Sequence, residues 1–330
     1  MTPLYAAAVR AKNFAYERGW RRQQRLRWPV VSVGNLSVGG SGKTPLTIRL
    51  AQLLGERGIA ADVLSRGYGR RGTEARRVEP GGRAEEFGDE PLLIAQAAKV
   101  PVYVGASRYA AGLLAEAGAS GRMLHLLDDG FQHRHLARDV DIVVLHRTDF
   151  DERLLPAGRL REGFSSLSRA QIVVLRQEDE ELQAELRRRG YGQPVWWMER
   201  RVEVPHTKRV VAFCAIARPE EFFSGLGPEG VEVAAVRAWR DHYRYLDRDL
   251  AELIELRGRH KAEAFMTTEK DLVRMMPEQR RMLERAAPLL AAKLAVCLRN
   301  EAEAMEQLLG LLPARSREAE GRSAADAVRK

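Results

Sequence analysis

Short apolar runs alternating with amphipathic stretches organise most of this chain. The runs at 30–33, 63–64, 102–104, 123–127, 142–145 and 172–175 are brief and largely unbroken, the pattern of strands buried on both faces. Helical spacing of apolar residues fills several of the gaps, at 43–57, 90–99 and 107–117. This alternation predicts an α/β layered domain with a mostly parallel sheet. The character changes at 194–205, PVWWMERRVEVP, which reads as an extended, proline-bounded bridge. Alternation then resumes, with strands predicted at 210–216, 231–236, 264–266 and 294–298 and helices at 246–257 and 301–312. The predicted organisation is therefore an N-terminal helical segment (1–28), a first α/β domain (29–193), a linker (194–207), a smaller α/β domain (208–314) and a polar tail (315–330).

The first segment opens with Thr2 and Pro3, a capping hydroxyl followed by proline at the first helical position. The helix expected from there places Leu4, Ala8, Ala11 and Ala15 on one side, with Tyr5, Phe14 and Trp20 nearby. Charge changes the picture here. Residues 1–28 hold seven basic side chains against Glu17 alone, so +6 of the chain's net +9 sits in less than a tenth of its length. A basic helix with aromatic residues suits an anionic membrane face, and equally a surface helix docked on its own domain; the two are compatible. No zinc-finger, RNA-recognition or helix–turn–helix signature accompanies the charge, which argues against a nucleic-acid partner.

Composition narrows the class further. At 45% hydrophobic and 30% charged, the chain is that of a folded globular protein. No run approaches the ~18 apolar residues of a membrane-spanning helix, and a signal peptide is not evident. Cys214 and Cys297 both lie in apolar runs and are expected to be buried, reduced strand residues of a cytoplasmic protein.

The chemistry concentrates in three places. VVSVGNL leads into SVGGSGKT and then TPLTIRLAQLL, the strand–loop–helix context of a phosphate loop. Gly39, Gly40, Ser41 and Gly42 would turn backbone N–H groups toward phosphate, Lys43 would bridge the β- and γ-phosphates, and the Thr44 hydroxyl would hold Mg²⁺. The loop is a variant, because Ser37 stands where its first glycine belongs. Next, the apolar strand MLHLL ends in Asp128-Asp129, carboxylates delivered to the edge where Mg²⁺-ATP would sit. His133 and His135 follow without a cysteine or a zinc-like spacing, so a zinc site is not inferred. Third, Asp89 in FGDEP reads by position as a helix N-cap, and it is also one of many carboxylates able to accept a hydroxyl proton. Arg66, Arg108, Arg159 and Arg161 stand in loops beside glycines, where they would clamp phosphates. A nucleotide-dependent switch of the GTPase type would share the loop and the paired aspartates, but no guanine-specific NKxD follows; TTEKD is a faint echo of it.

Taken in order, VGNLSVGGSGKTP, SRGYGR, GDEP, GASR, LLDDGFQHR, LLPAGRLRE and TTEKD resemble the tetraacyldisaccharide 4′-kinases, the lipid A 4′-kinases, over about residues 1–312. The resemblance implies transfer of the ATP γ-phosphate to the 4′-hydroxyl of a tetraacylated glucosamine disaccharide 1-phosphate. It also implies a peripheral enzyme on the cytoplasmic face of the inner membrane. The implied fold is a P-loop NTPase-type α/β/α domain joined by a β-ribbon to a smaller α/β/α domain. Residue by residue, it assigns Lys43 and Thr44 to the phosphate loop, and Asp128 and Asp129 to Mg²⁺-ATP and catalysis. Asp89 becomes the general base, with His242 of WRDHYRY as its partner, and Arg66, Tyr68, Arg108, Arg161 and Glu162 line the cleft.

Overall fold

The computed structural model describes residues 2–313; residue 314 and the polar tail expected at 315–330 lie outside the described residues. Its strands are β1 (Val30–Asn35), β2 (Ala61–Ser65), β3 (Arg76–Arg77), β4 (Val102–Val104), β5 (Leu124–Asp128), β6 (Val140–Val144), β7 (Ile172–Arg176), β8 (Val195–Glu203), β9 (Arg209–Cys214), β10 (Glu232–Ala238), β11 (Ala264–Thr268) and β12 (Leu289–Leu298). They form one sheet in the order β10-β9-β11-β12-β8-β7-β6-β1-β5-β2-β4-β3. The α/β architecture and the mostly parallel sheet expected from the alternation are both present. Antiparallel pairing is confined to β3 with β4 and to β8 with β12.

The central strands β1, β2, β5, β6 and β7 are buried at every position, which is why their sequences read as continuous apolar runs rather than alternating ones. The helix Lys43–Glu56 covers β1 and β5, with Leu46, Leu50 and Leu54 fully buried at helical spacing against that sheet. Gly34, next to last in β1, is where the chain after β5 passes closest: a Cβ there would stand 2.6 Å from Phe131 Cβ and 2.8 Å from its backbone nitrogen. Only glycine admits that approach.

Two expectations shift. The strand expected at 123–127 runs one residue later, because Asp128 stays in register with Val33 of β1. Cys214 is buried as expected, whereas Cys297 is half-buried. The outer part of β12 pairs only with β8, and there Cys297 Sγ lies 3.7 Å from Glu199 Oε2.

The stretch at 194–205 is β8, and its register decides the layout of the molecule. The first half of β8 pairs parallel with β7, up to Arg176 opposite Met198. Its second half pairs antiparallel with β12, Glu203 opposite Lys293 and Met198 opposite Leu298. The first half of β12 in turn pairs parallel with β11, up to Thr268 opposite Ala292. The N-terminal strands therefore end, in the direction of the chain, where this two-stranded seam begins. The C-terminal strands β9 and β11 run the other way and end at its far side. Two sets of carboxyl strand ends face each other across the seam, the edge where open α/β sheets place their ligands.

At the opposite edge of the N-terminal strands, His125 Nδ1 lies 2.9 Å from Asp62 Oδ1 across β5 and β2, and its Nε2 is 3.4 Å from Glu116. Glu116 also accepts the Trp28 backbone N–H at 3.0 Å, tying the end of the basic segment to the sheet. Burial pushes the His125 imidazole down, but the hydrogen bond and charge of Asp62, with Glu116 behind, outweigh it and raise its pKa above 6.5. A folded-state value raised above the unfolded one contributes stability below pH 6.5 that is lost as pH rises through the folded value. The thermal midpoint is therefore expected to fall as pH rises above 6.5, and His125→Gln should flatten that fall in a pH series of melting curves.

Candidate active site

The phosphate loop lies between β1 and the helix Lys43–Glu56, at the point where β1 has β5 on one side and β6 on the other. Gly39 and Gly42 take φ of 108° and 92°, a backbone that side-chain-bearing residues rarely adopt. Gly42 caps the helix, and Leu46 N–H donates back to its carbonyl at 3.1 Å. Ser37 does not take a left-handed backbone, so no glycine is required there. Its carbonyl instead accepts from Arg161 Nε at 3.2 Å and Nη2 at 3.1 Å, while Val38 O accepts from Arg159 Nε and Nη2 at 3.2 and 3.0 Å. The variant loop is held from outside by the two arginines of AGRLRE.

β5 delivers the paired aspartates beneath the loop. Asp128 is fully buried: its Oδ1 accepts from Thr47 Oγ1 at 3.2 Å and Thr44 Oγ1 at 3.4 Å, and its Oδ2 has no protein partner. Burial, reinforced by Glu90, pushes its carboxyl up to about 7. Asp129 sits in a left-handed conformation (φ 51°) that turns its carboxylate back over the loop. Arg161 grips it through Nη2 to Oδ1 at 2.8 Å and Nη1 to Oδ2 at 3.0 Å, with Lys43 Nζ at 3.9 Å. Burial raises the Asp129 carboxyl, but Lys43 and Arg161 outweigh it and hold it below the usual range.

These oxygen donors fit a hard divalent cation. The orphaned Asp128 Oδ2 beside the Thr44 hydroxyl is an incomplete oxygen shell of the kind that Mg²⁺ completes with water and phosphate oxygens. Among the described residues, no group of three or more His, Cys, Asp or Glu side chains is placed to hold a metal without such help.

Across the cleft, Asp89 and His242 meet although 153 residues separate them. Asp89 is not the N-cap its position suggests: Gly88, at φ 89°, takes that place without a side-chain bond, and Asp89 is the first residue of the helix Asp89–Ala98. Its Oδ2 accepts from His242 Nδ1 at 3.0 Å and from Arg274 Nη2 at 2.7 Å. His242, at φ 60° in the turn after β10, has its ring 5.2 Å from that of Tyr68. Burial pushes the Asp89 carboxyl up, but the His242 hydrogen bond and the charges of Lys270 and Arg274 outweigh it and hold it far below the ordinary range. Glu90, the next residue, pairs with Lys270 at 3.1 Å.

One cleft of about 750 Å³ joins these groups, lined by the loop Gly39–Thr44, Asp128, Asp129 and Arg161 on one side and by Asp241, His242 and Lys270 on the other. Arg66, Tyr68 and Arg108 line it too. Arg108 is buried, its Nε lacks a partner, and burial lowers its guanidinium to about 10, with Arg66 adding repulsion. Asp89 adjoins the cleft through His242, and Glu162 lies apart from the cleft lining, buried with Arg169 Nη2 at 2.5 Å. Several groups here carried no sequence signal. Arg200 and Arg218 line the cleft and converge with Arg176 on Glu221, whose carboxyl burial raises but His146 and these cations drive far down. Lys12, from the first helix, lines it as well and donates to Gln132 O at 3.0 Å.

Comparison with known proteins gives one answer. The family model of tetraacyldisaccharide-1-P 4′-kinase matches residues 1–313. A tetraacyldisaccharide 4′-kinase of Koribacter versatilis is 45% identical over 327 residues, covering 96% of this chain and 98% of its own. One from Geobacter metallireducens is 37% identical, with 89% and 91% covered. The crystal structure of the Aquifex aeolicus "apo" form in complex with ATP superposes with a TM-score of 0.76 at 33% identity, over 94% of this chain and 97% of that one.

The loop geometry makes a direct prediction. Gly39 sits at φ 108°, a backbone that disfavours any side chain, and a Cβ there would displace the Arg159 guanidinium that holds the Val38 carbonyl. Gly39→Ala should therefore weaken binding of a nucleoside triphosphate analogue about tenfold, the equivalent of ~1.4 kcal/mol, by calorimetry.

Proposed function

The chain belongs to the tetraacyldisaccharide-1-P 4′-kinase family, and on that premise we propose that it phosphorylates the 4′-hydroxyl of tetraacyldisaccharide 1-phosphate with ATP, a step of lipid A biosynthesis. The observation that carries this is the meeting of Asp89 and His242 across one cleft from the phosphate loop.

In this reading Gly39, Gly40, Ser41 and Gly42 present N–H groups to the triphosphate, and Lys43 lies against its β- and γ-oxygens. Thr44, Asp128 and Asp129 would hold Mg²⁺, which would supply neutralisation of the charge on the phosphate oxygens. The acceptor oxygen forms its bond to the γ-phosphorus as the bond to the β–γ bridging oxygen breaks, ADP departs, and the hydroxyl proton passes to Asp89. A carboxylate with a low pKa serves because the transition state is loose and the proton leaves late. His242 orients that carboxylate from the C-terminal part of the chain. Arg66, Tyr68, Arg108 and Arg161 face the acceptor and the transferred group; Glu162 acts through Arg169 and the segment it shares with Arg161. We divide the chain accordingly into a nucleotide unit (29–193), a seam (194–207) and a unit supplying His242 (208–314).

The acceptor is a glycolipid, and the first helix, Thr2–Glu17, is suited to the cytoplasmic face of the inner membrane. It docks through Tyr5 Oη to Arg161 O at 3.0 Å and through Lys12 beside the cleft, while Leu4 and Phe14 on it and Trp20 after it stay exposed, near the exposed arginines of residues 10–27. The exposed Arg10, Arg18, Arg21, Arg22 and Arg27 of residues 1–28, at ~1 kcal/mol each, suffice for reversible attachment to an anionic leaflet. No helix among the described residues is long and apolar enough to cross a membrane.

ADP release should depend on the tetraacyldisaccharide 1-phosphate in detergent micelles; acceptor-independent release would overturn the proposed function. Asp89→Ala is expected to lower turnover by about 10²–10⁴ while ATP still binds by calorimetry. Replacing Leu4, Phe14 and Trp20 together by Glu should shift the protein out of the floating fraction with anionic vesicles while leaving its melting temperature within a few degrees.

A further inference from the structure

We infer that Arg274 is a positioning residue for phosphotransfer, fixing the Asp89 carboxylate by one oxygen so that the other is presented to the acceptor hydroxyl. The inference rests on the assignment of Asp89 as base and adds a group that neither the motifs nor the comparisons single out.

The geometry is that of a two-ended clamp. Arg274 ends the helix Glu269–Arg274, and its side chain is 6% exposed. Nη1 is anchored beyond the carboxyl end of β9 and within its own helix, donating to Asp271 Oδ1 at 3.0 Å and Ala215 O at 2.9 Å. Asp271 is itself immobilised: it accepts from Ala215 N–H at 3.0 Å, Tyr245 Oη at 2.9 Å and Thr268 Oγ1 at 2.6 Å, with no exposed surface. Nη2 then reaches across to Asp89 Oδ2 at 2.7 Å. His242 lands on the same oxygen, and its backbone N–H donates to the carbonyl of Ala215 at 3.3 Å, the carbonyl that Arg274 also holds. Both donors to Asp89 thus hang from Ala215, the residue that follows β9, and both use Oδ2. Oδ1 is left as the atom that takes the proton.

Charge points the same way. The groups facing Asp89 from the elements packed on it are His242, Arg274 and Lys270, with Asp241, Glu90 and Asp271 as their counter-charges. Lys270 is engaged by Glu90 and Asp241, and His242 carries charge only when protonated. Arg274 is the permanent cation in direct contact with the carboxylate. A guanidinium joined to two carboxylates by separate nitrogens fixes direction as well as charge, which an ammonium group cannot do.

The test compares Arg274→Gln in the wild-type and Asp89→Asn backgrounds, assayed with the glycolipid acceptor in micelles. Arg274→Gln is expected to lower kcat at least about tenfold with KM for ATP within about twofold, the split that marks loss of a transition-state interaction. In the Asp89→Asn background it should change kcat by less than about twofold, since residues acting through one group are not additive. Arg274→Lys should restore kcat only in part. Equal losses in both backgrounds, unchanged kcat, or a raised KM for ATP with kcat retained would each overturn the inference. Should Arg274→Gln fail to fold by circular dichroism, Arg274→Lys takes its place in the same cycle. Asp89→Asn with wild-type turnover would remove the base assignment itself, and the inference with it.

Discussion

The offset pairing of β8 with β12 is the constraint on which the site depends. Each strand belongs to one set of parallel strands for half its length and to the other strand for the rest. Because that pairing is antiparallel and staggered, two sets of carboxyl strand ends are turned toward each other. In a parallel α/β sheet those ends carry the loops with free backbone N–H groups and the first turns of helices. Opposing them creates a cleft with a phosphate loop on one wall and a carboxylate–imidazole pair on the other. A β8 paired only with β7 would leave the phosphate loop with nothing to face.

Within the cleft the charges are paired with few left over. Asp129 is matched by Arg161 and Lys43, Asp89 by Arg274 and His242, and Glu221 by three arginines. Asp128 stands apart: buried, with an orphaned oxygen and a raised pKa, it is destabilised as an anion until a cation arrives. Arg108, buried with its Nε unpartnered, is the cationic counterpart. Both are arrangements that a folded chain tolerates where ligand binding resolves them, and both line the cleft beside the glycine loop.

The features legible in the sequence are those set by local physics. Buried parallel strands must be apolar at every position, so the strands around β1 stand out as runs. The phosphate loop is legible because its conformation demands glycines at Gly39 and Gly42 within a strand–loop–helix context. The aspartates at the end of β5 follow from the same logic. Ser37 looked like a defect and is not one, since the backbone there needs no glycine and Arg161 holds its carbonyl. Asp89 misled in the other direction: spacing favoured a cap, whereas Gly88 does that work and the carboxylate points at another part of the chain.

Glu162 and Cys297 show where local reading stops. Glu162 follows Arg161, yet it turns away to Arg169, and Cys297 sits in an apolar run yet is only half-buried, opposite Glu199 of β8. Lys12, Arg200, Arg218 and Arg274 are ordinary charges in sequence; folding alone brings the first three to the cleft and Arg274 to Asp89. The sequence by itself determined the family, the layered architecture and the phosphate-binding half of the site, because periodicity, glycine conformation and motif order are properties of neighbouring residues. The tertiary structure alone decided the partner of Asp89, the anchor of Arg274 and which walls face each other, because these depend on strand register and charge pairing between segments that no local spacing relates.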